Sequence, residues 1–120
     1  MSARWIRMGS FFMASGILVG AFGTHALKNT LSDPMKSVFE TAVRYQLLHG
    51  LGLFIVAWLI SQSPKRTLLI AGWAFAIGIL LFSGSLYLLA LTNAHAWGIL
   101  TPFGGLAFLV GWISIGLSAI

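Results

Sequence analysis

The side chains of this sequence that could do chemistry are few: His25, then Glu40, Arg44, Tyr45, Gln46 and His49, then Ser83, Ser85 and Tyr87, and finally Thr101. Histidine is the side chain that most readily changes charge near neutral pH. His25 and His49, with Glu40, Arg44 and Gln46, could therefore make a small polar pocket or a proton-active site. Glu40 precedes Arg44 by four residues, the favourable order for an ion pair along a helix. Tyr45, Gln46 and His49 fall on a different helical face. Two histidines on antiparallel helices could ligate a haem, and His25, His49 and Glu40 could hold a metal, but no close histidine spacing supports a metal site. Ser83 or Ser85 beside His49 could form a nucleophile–base pair, yet no motif supports one. His95 falls in a predicted loop, where it is solvated. The chain has no cysteine, which excludes disulfides, iron–sulfur clusters, thiolate zinc sites and cysteine nucleophiles. The expectation is no catalytic residue, no metal and no cofactor. The competing reading of these polar groups is packing: Glu40 and Arg44 neutralise each other at a helix end, His49 hydrogen-bonds between helices, and Tyr45 and Tyr87 belong to an interfacial aromatic belt with Trp5, Trp73 and Trp97.

The elements that must position these groups are set by charge. The chain is 58% hydrophobic and 8% charged, against about 25% charged in a soluble domain. From residue 67 to residue 120 it holds no Lys, Arg, Asp or Glu. A hydrocarbon core of about 30 Å needs about 20 apolar residues per helix, and the charges, with the loop that starts at 92–94, divide the chain into uncharged blocks of that order, at 8–27, 45–64, 67–91 and about 97–120. The fold class expected is all-α, an integral-membrane four-helix up-down bundle forming a single domain, 1–120, with helices at about 5–27, 34–62, 67–91 and 101–120. The formal net charge of +5 sits at membrane edges, where Lys and Arg meet headgroups and set orientation. Membrane lipids are therefore the expected partners, and nucleic acid is not. Residues 1–26 could also pass for a cleaved signal peptide, but the apolar block is longer than usual for one.

Local signals place the helix ends. Asp33-Pro34 looks like an N-cap followed by a first helical residue, and Ser37 with Glu40 is a second possible start. Pro64-Lys65-Arg66 opens the third span, 92–94 the last loop, and Thr101-Pro102 the fourth helix. Gly16 and Gly20 form a GxxxG pair with Gly23 on the same face, and His25 falls opposite. Ala71, Ala74, Gly78, Leu81 and Ser85 repeat at 3, 4, 3, 4, as do Gly104, Ala107, Gly111, Ser114 and Ser118. Such seams predict close helix packing, within the bundle or in a homo-oligomer. In an up-down bundle the polar residues of all four helices gather in one leaflet, and Glu40, Arg44, Gln46 and His49 should face protein, because a charge or amide facing acyl chains costs several kcal/mol. Arg4, Arg7, Lys65 and Arg66 lie on one side against Lys28, Lys36 and Arg44 on the other. This weak bias favours both termini inside.

Four stretches carry a family resemblance: GAFGTHAL at 20–27, FETAVRYQLLH at 39–49, LFSGSLYLLAL at 81–91, and TPFGG at 101–105 followed by Gly111-Trp112. Across essentially its whole length the chain resembles the YgdD/YwdK-like family of bacterial inner-membrane proteins, a domain-of-unknown-function family with eukaryotic relatives. Thr24 stands where the family more often has Ala, and Phe103 where it has a smaller aliphatic. The resemblance implies four membrane helices and no assigned reaction. The functional expectation is a non-enzymatic structural, lipid-organising or accessory protein of the cytoplasmic membrane. The alternative is a small transporter or channel-like pathway through the polar end.

Overall fold

The structure, a computed structural model, describes residues 2–120. The chain runs α1 (Ser2–Ala26), α2 (Asp33–Gln62), α3 (Arg66–Gly78), a π turn (Ile79–Ser83), α4 (Gly84–Thr92), a 3-10 segment (His95–Ile99) and α5 (Thr101–Ser118). The third span is continuous through the π turn, and four spans are long and apolar enough to cross a membrane: Ser2–Ala26, Asp33–Gln62, Arg66–Thr92 and His95–Ser118.

Three start signals, two for α2 and one for α5, differ from expectation. Ser32, not Asp33, caps α2: its hydroxyl accepts from the Met35 N–H at 3.4 Å. Ser37 and Glu40 lie inside α2 and start nothing; the Ser37 carbonyl instead accepts from the Thr41 hydroxyl. Leu100, not Thr101, stands at the cap position of α5; Thr101 is the first residue inside the helix, and its hydroxyl is engaged with Ser85. The last loop follows chain chemistry more closely. Asn93 ends α4 in the left-handed region at φ 56°, a conformation that asparagine tolerates better than most residues.

α2 is the central helix. α1 packs along it on one side, and α3, the π turn and α4 pack on others, while α5 lies along α3 and the π turn. The core is built from Trp5, Phe12, Leu53, Val56, Phe75 and Phe108, with smaller residues between them. Small residues allow the close approach. A Cβ on Gly16 would meet Leu47 at 2.7 Å, one on Gly20 would meet Val43 at 3.0 Å, and one on Gly23 would meet Phe39 at 2.4 Å. Gly78 receives Phe108, and Gly111 receives Phe75. Ala71 and Ala74 are buried and Ala107 half-buried.

The π turn interrupts the regular seam of the third span. Leu81, expected on the seam, is only half-buried, while Ile79, Ser83 and Ser85 are buried. The start of α5 abuts this turn: a Cβ on Gly104 would lie 2.4 Å from the Phe82 nitrogen and 2.7 Å from its Cα. Trp5 also departs from expectation. It is fully buried rather than interfacial, its ring against Gly72 and edge-on to Trp73 at 5.3 Å, with the Arg4 guanidinium near both rings. The outward surface is apolar: Phe11, Phe22, Leu80, Phe103 and Ile113 are all exposed. Acyl chains, not water, suit that surface.

Candidate functional site

Gln46, His49, Ser83, Ser85, Tyr87 and Thr101 of the expected cluster are each hydrogen-bonded to another span, whereas Tyr45 and His25 are exposed and make no such bond. Gln46, 5% exposed, is the busiest. Its amide nitrogen donates to the Phe12 carbonyl and to the Ser15 hydroxyl, both at 2.9 Å on α1. Its amide oxygen accepts from the Tyr87 hydroxyl of α4 at 2.6 Å. One side chain thus joins three spans with all its donors and its acceptor engaged. Ser83 in the π turn donates to the Ala42 carbonyl of α2 at 2.7 Å. Ser85 donates to the Phe82 carbonyl at 3.0 Å, so its 2.6 Å contact with Thr101 must be a hydrogen bond donated by Thr101, since a serine hydroxyl has one proton.

His49, 2% exposed, faces α5. The Trp112 indole N–H donates to its Nε2 at 3.0 Å. Nε2 is therefore the acceptor, the proton sits on Nδ1, and Nδ1 donates to the Tyr45 carbonyl at 2.9 Å. The imidazole is neutral with both nitrogens engaged. Its ring stacks on Phe108 with centroids 3.6 Å apart and planes 8° apart, and meets Phe75 edge-on at 5.3 Å. Tyr45 closes the open side of this aromatic group against Phe82 at 4.5 Å.

The charged members lie elsewhere. Glu40 and Arg44 are exposed, contrary to the expectation that they face protein, and they form no ion pair within 4.0 Å. Among the described residues the ion pair is Lys36 with Asp33, at 3.7 Å. The reason is position along α2. A 30-residue helix is about 45 Å long, about 15 Å more than the hydrocarbon core. With the excess at the first turns, Glu40 stands in the headgroup zone and Arg44 one turn below it, within reach of that zone by snorkelling. His25 is exposed at the end of α1 and does not approach His49, which faces α5. Ser83 and Ser85 bond elsewhere, so neither pairs with His49. Among the described residues no three of His, Asp and Glu gather as a metal site would require.

His25 instead lines a groove between the end of α1 and the start of α2. The groove, of about 280 Å³, is bounded by Lys28, Lys36, Phe39 and Glu40 among others. A second groove of about 300 Å³ continues from it past Val43, Arg44 and Leu47, and the two share Thr24, Phe39 and Glu40.

Sequence reasoning missed Trp112 and Ser15. Trp112 carried a usable signal: an indole N–H deep in a membrane span needs an acceptor, and His49 is a polar neighbour able to supply one. Ser15 carried none, because a serine within a span ordinarily bonds its own helix.

The family described as "Protein of unknown function (DUF423)" matches residues 19–105. The chain is 44% identical to the UPF0382 membrane protein SH2409 of Staphylococcus haemolyticus, over 95% of this chain and 93% of that one. It is 40% identical to the UPF0382 membrane protein YwdK of Bacillus subtilis, over 97% and 95%, and 41% identical to SAB0533 of Staphylococcus aureus, over 92% and 90%. No solved structure matches the chain. Apolar spans, cross-span hydrogen bonds and these relatives agree, and the chain belongs to the DUF423 family of membrane proteins of unknown function.

Proposed function

We propose that the protein is a non-enzymatic accessory protein of the cytoplasmic membrane, a single domain over 1–120, whose working surface is the one it turns to lipid. The observation that carries this reading is the engagement of the buried polar cluster. Gln46, His49, Ser83 and Ser85 are each hydrogen-bonded to another element of the bundle. Interhelical hydrogen bonds of this kind act as glue between membrane helices. They leave no free nucleophile, base or ligand at the centre of the cluster. Ser15, Gln46, Ser83 and Tyr87 do line a groove of about 210 Å³ between α1 and the third span, but their donors and acceptors are taken up by one another and by backbone carbonyls rather than offered to a passing solute. Both termini lie inside in this reading, supported by the Lys and Arg bias. The small-residue faces of α3 and α5 are used within the chain, so a homo-oligomer would have to assemble through the outer apolar faces.

Proteoliposomes containing a pH-sensitive dye and a potassium diffusion potential test the reading against the pathway. Proton flux equal to that of empty liposomes is expected. Flux above that level that is lost in His49→Leu would overturn it.

A further inference from the structure

The two adjoining grooves between α1 and α2 are graded. At the outer one are His25, Lys28, Lys36 and Glu40, and further along are Arg44 and the apolar side chains of Phe39, Val43 and Leu47. From Glu40, in the headgroup zone, to Leu47 the helix rises about 10 Å, within the thickness of one leaflet, about half of a 30 Å core. An amphipathic molecule with a charged head and the first part of an acyl chain matches that gradient.

The charges say which head. Lys28 is exposed and unpaired among the described residues, and Lys36 holds only an i,i+3 contact at 3.7 Å with Asp33, itself almost fully exposed. Glu40 lines both grooves and pairs with neither Lys36 nor Arg44, each one turn away. A purely anionic head would satisfy Lys28, Lys36 and Arg44 but would leave Glu40 repelled and unpaired. A cationic one would do the reverse. A zwitterion with a phosphate and an ammonium satisfies both signs. A primary ammonium can also donate hydrogen bonds to the carboxylate, which a quaternary choline cannot. Choline is recognised by aromatic cages, and these walls carry no such cage, with Phe39 and the His25 imidazole as their aromatic rings. We infer that the α1/α2 groove is a binding site for a glycerophospholipid with a primary-ammonium headgroup of the phosphatidylethanolamine type, its phosphate at Lys28 and Lys36, its ammonium at Glu40 and an acyl chain along Phe39, Val43 and Leu47. The inference rests on the lipid-facing reading proposed above.

Native mass spectrometry of delipidated protein, offered phosphatidylethanolamine, phosphatidylcholine and phosphatidylglycerol with identical acyl chains, tests it. Phosphatidylethanolamine should be retained in preference to both others. Glu40→Gln should reduce that preference about threefold to fivefold, the effect of one exposed ion pair, without lowering phosphatidylglycerol retention. Lys28→Gln with Lys36→Gln should lower retention of all three. Glycerophosphoethanolamine without acyl chains should not displace the lipid. These side chains are largely solvent-accessible, so the variants should fold, and unchanged helical circular dichroism checks that. Phosphatidylglycerol retained as well as phosphatidylethanolamine, or a Glu40→Gln protein with the full preference, would overturn the site. Either result leaves the accessory reading intact, because only the flux measurement bears on that.

Discussion

Replacing His49 by Leu separates the hydrogen bond that the ring makes from the space it fills. Leucine keeps a buried apolar side chain of similar bulk, but it cannot accept from Trp112 and cannot stack on Phe108. Two terms are lost. The interhelical hydrogen bond, 3.0 Å from Trp112 Nε1 to His49 Nε2, is worth about 0.6 kcal/mol on average in membranes and up to about 1.7 kcal/mol. The aromatic stack at 3.6 Å adds about 0.5 to 1.5 kcal/mol. The bond from Nδ1 to the Tyr45 carbonyl adds little, since that carbonyl also lies in the helical ladder. His49→Leu should therefore destabilise the bundle by about 1 to 3 kcal/mol. Trp112→Phe keeps an aromatic ring but removes the donor, so it should cost about 0.6 to 1.7 kcal/mol. Reversible unfolding in bicelles or mixed micelles would measure both, and the double variant completes a thermodynamic cycle. The coupling energy should fall in the same range as the hydrogen bond. A coupling indistinguishable from zero would refute the assignment of Nε2 as the acceptor, and with it the neutral Nδ1–H form of His49.

Other substitutions test the remaining contacts. Gly104→Ala places a Cβ against the Phe82 backbone, which cannot yield as a side chain could, so unfolding should show a loss of about 1 to 3 kcal/mol or more. Gly116→Ala meets nothing within 4 Å and should be neutral or stabilising by up to about 1 kcal/mol. Gln46→Leu unties α1 from α2 and α4 together, and its cost should be shared non-additively with Tyr87→Phe in the same unfolding assay, since both remove the Tyr87–Gln46 bond. The absence of cysteine makes single-cysteine labelling clean. In intact cells an impermeant maleimide should label Asn29→Cys and Asn93→Cys but not Ser63→Cys, and the reverse pattern would overturn the orientation with both termini inside.

The span count was legible because charge is expensive in hydrocarbon, so charges mark the ends of the first and second spans, while the break between the third and fourth, which no charge marks, was legible from the polar loop at 92–94 and from Thr101-Pro102. The glycines of α1 were legible because Gly16, Gly20 and Gly23 share a face, and the structure sets that face on Leu47, Val43 and Phe39. The π turn was not. Nothing in the string LFSGSLY marks an inserted residue. What fixes it is tertiary: the approach of Gly104 to the Phe82 backbone and the reach of Ser83 to Ala42. Capping also misled: Thr101 has the residue type of a cap, but the helical backbone already begins at Leu100, which puts Thr101 inside α5 with its hydroxyl on Ser85.

The polar cluster shows the sharpest division between what composition implies and what packing decides. A single energetic rule, that polar groups in a membrane turn toward protein, placed Glu40, Arg44, Gln46 and His49 together. The rule holds for Gln46 and His49 and fails for Glu40 and Arg44. The difference is the cost of the alternative. A neutral amide or imidazole can be satisfied inside a helix seam by one or two hydrogen bonds, as Phe12, Ser15, Tyr87 and Trp112 provide. A buried ion pair must also recover the desolvation of two charges, several kcal/mol per ion. Long side chains near a helix end avoid that cost by reaching the headgroups. So the neutral polar groups tie the bundle from within, and the charged ones remain on its surface at the loop between α1 and α2. Chemistry with an external partner therefore belongs at that surface, where Glu40 and the two lysines stand open, rather than at His49.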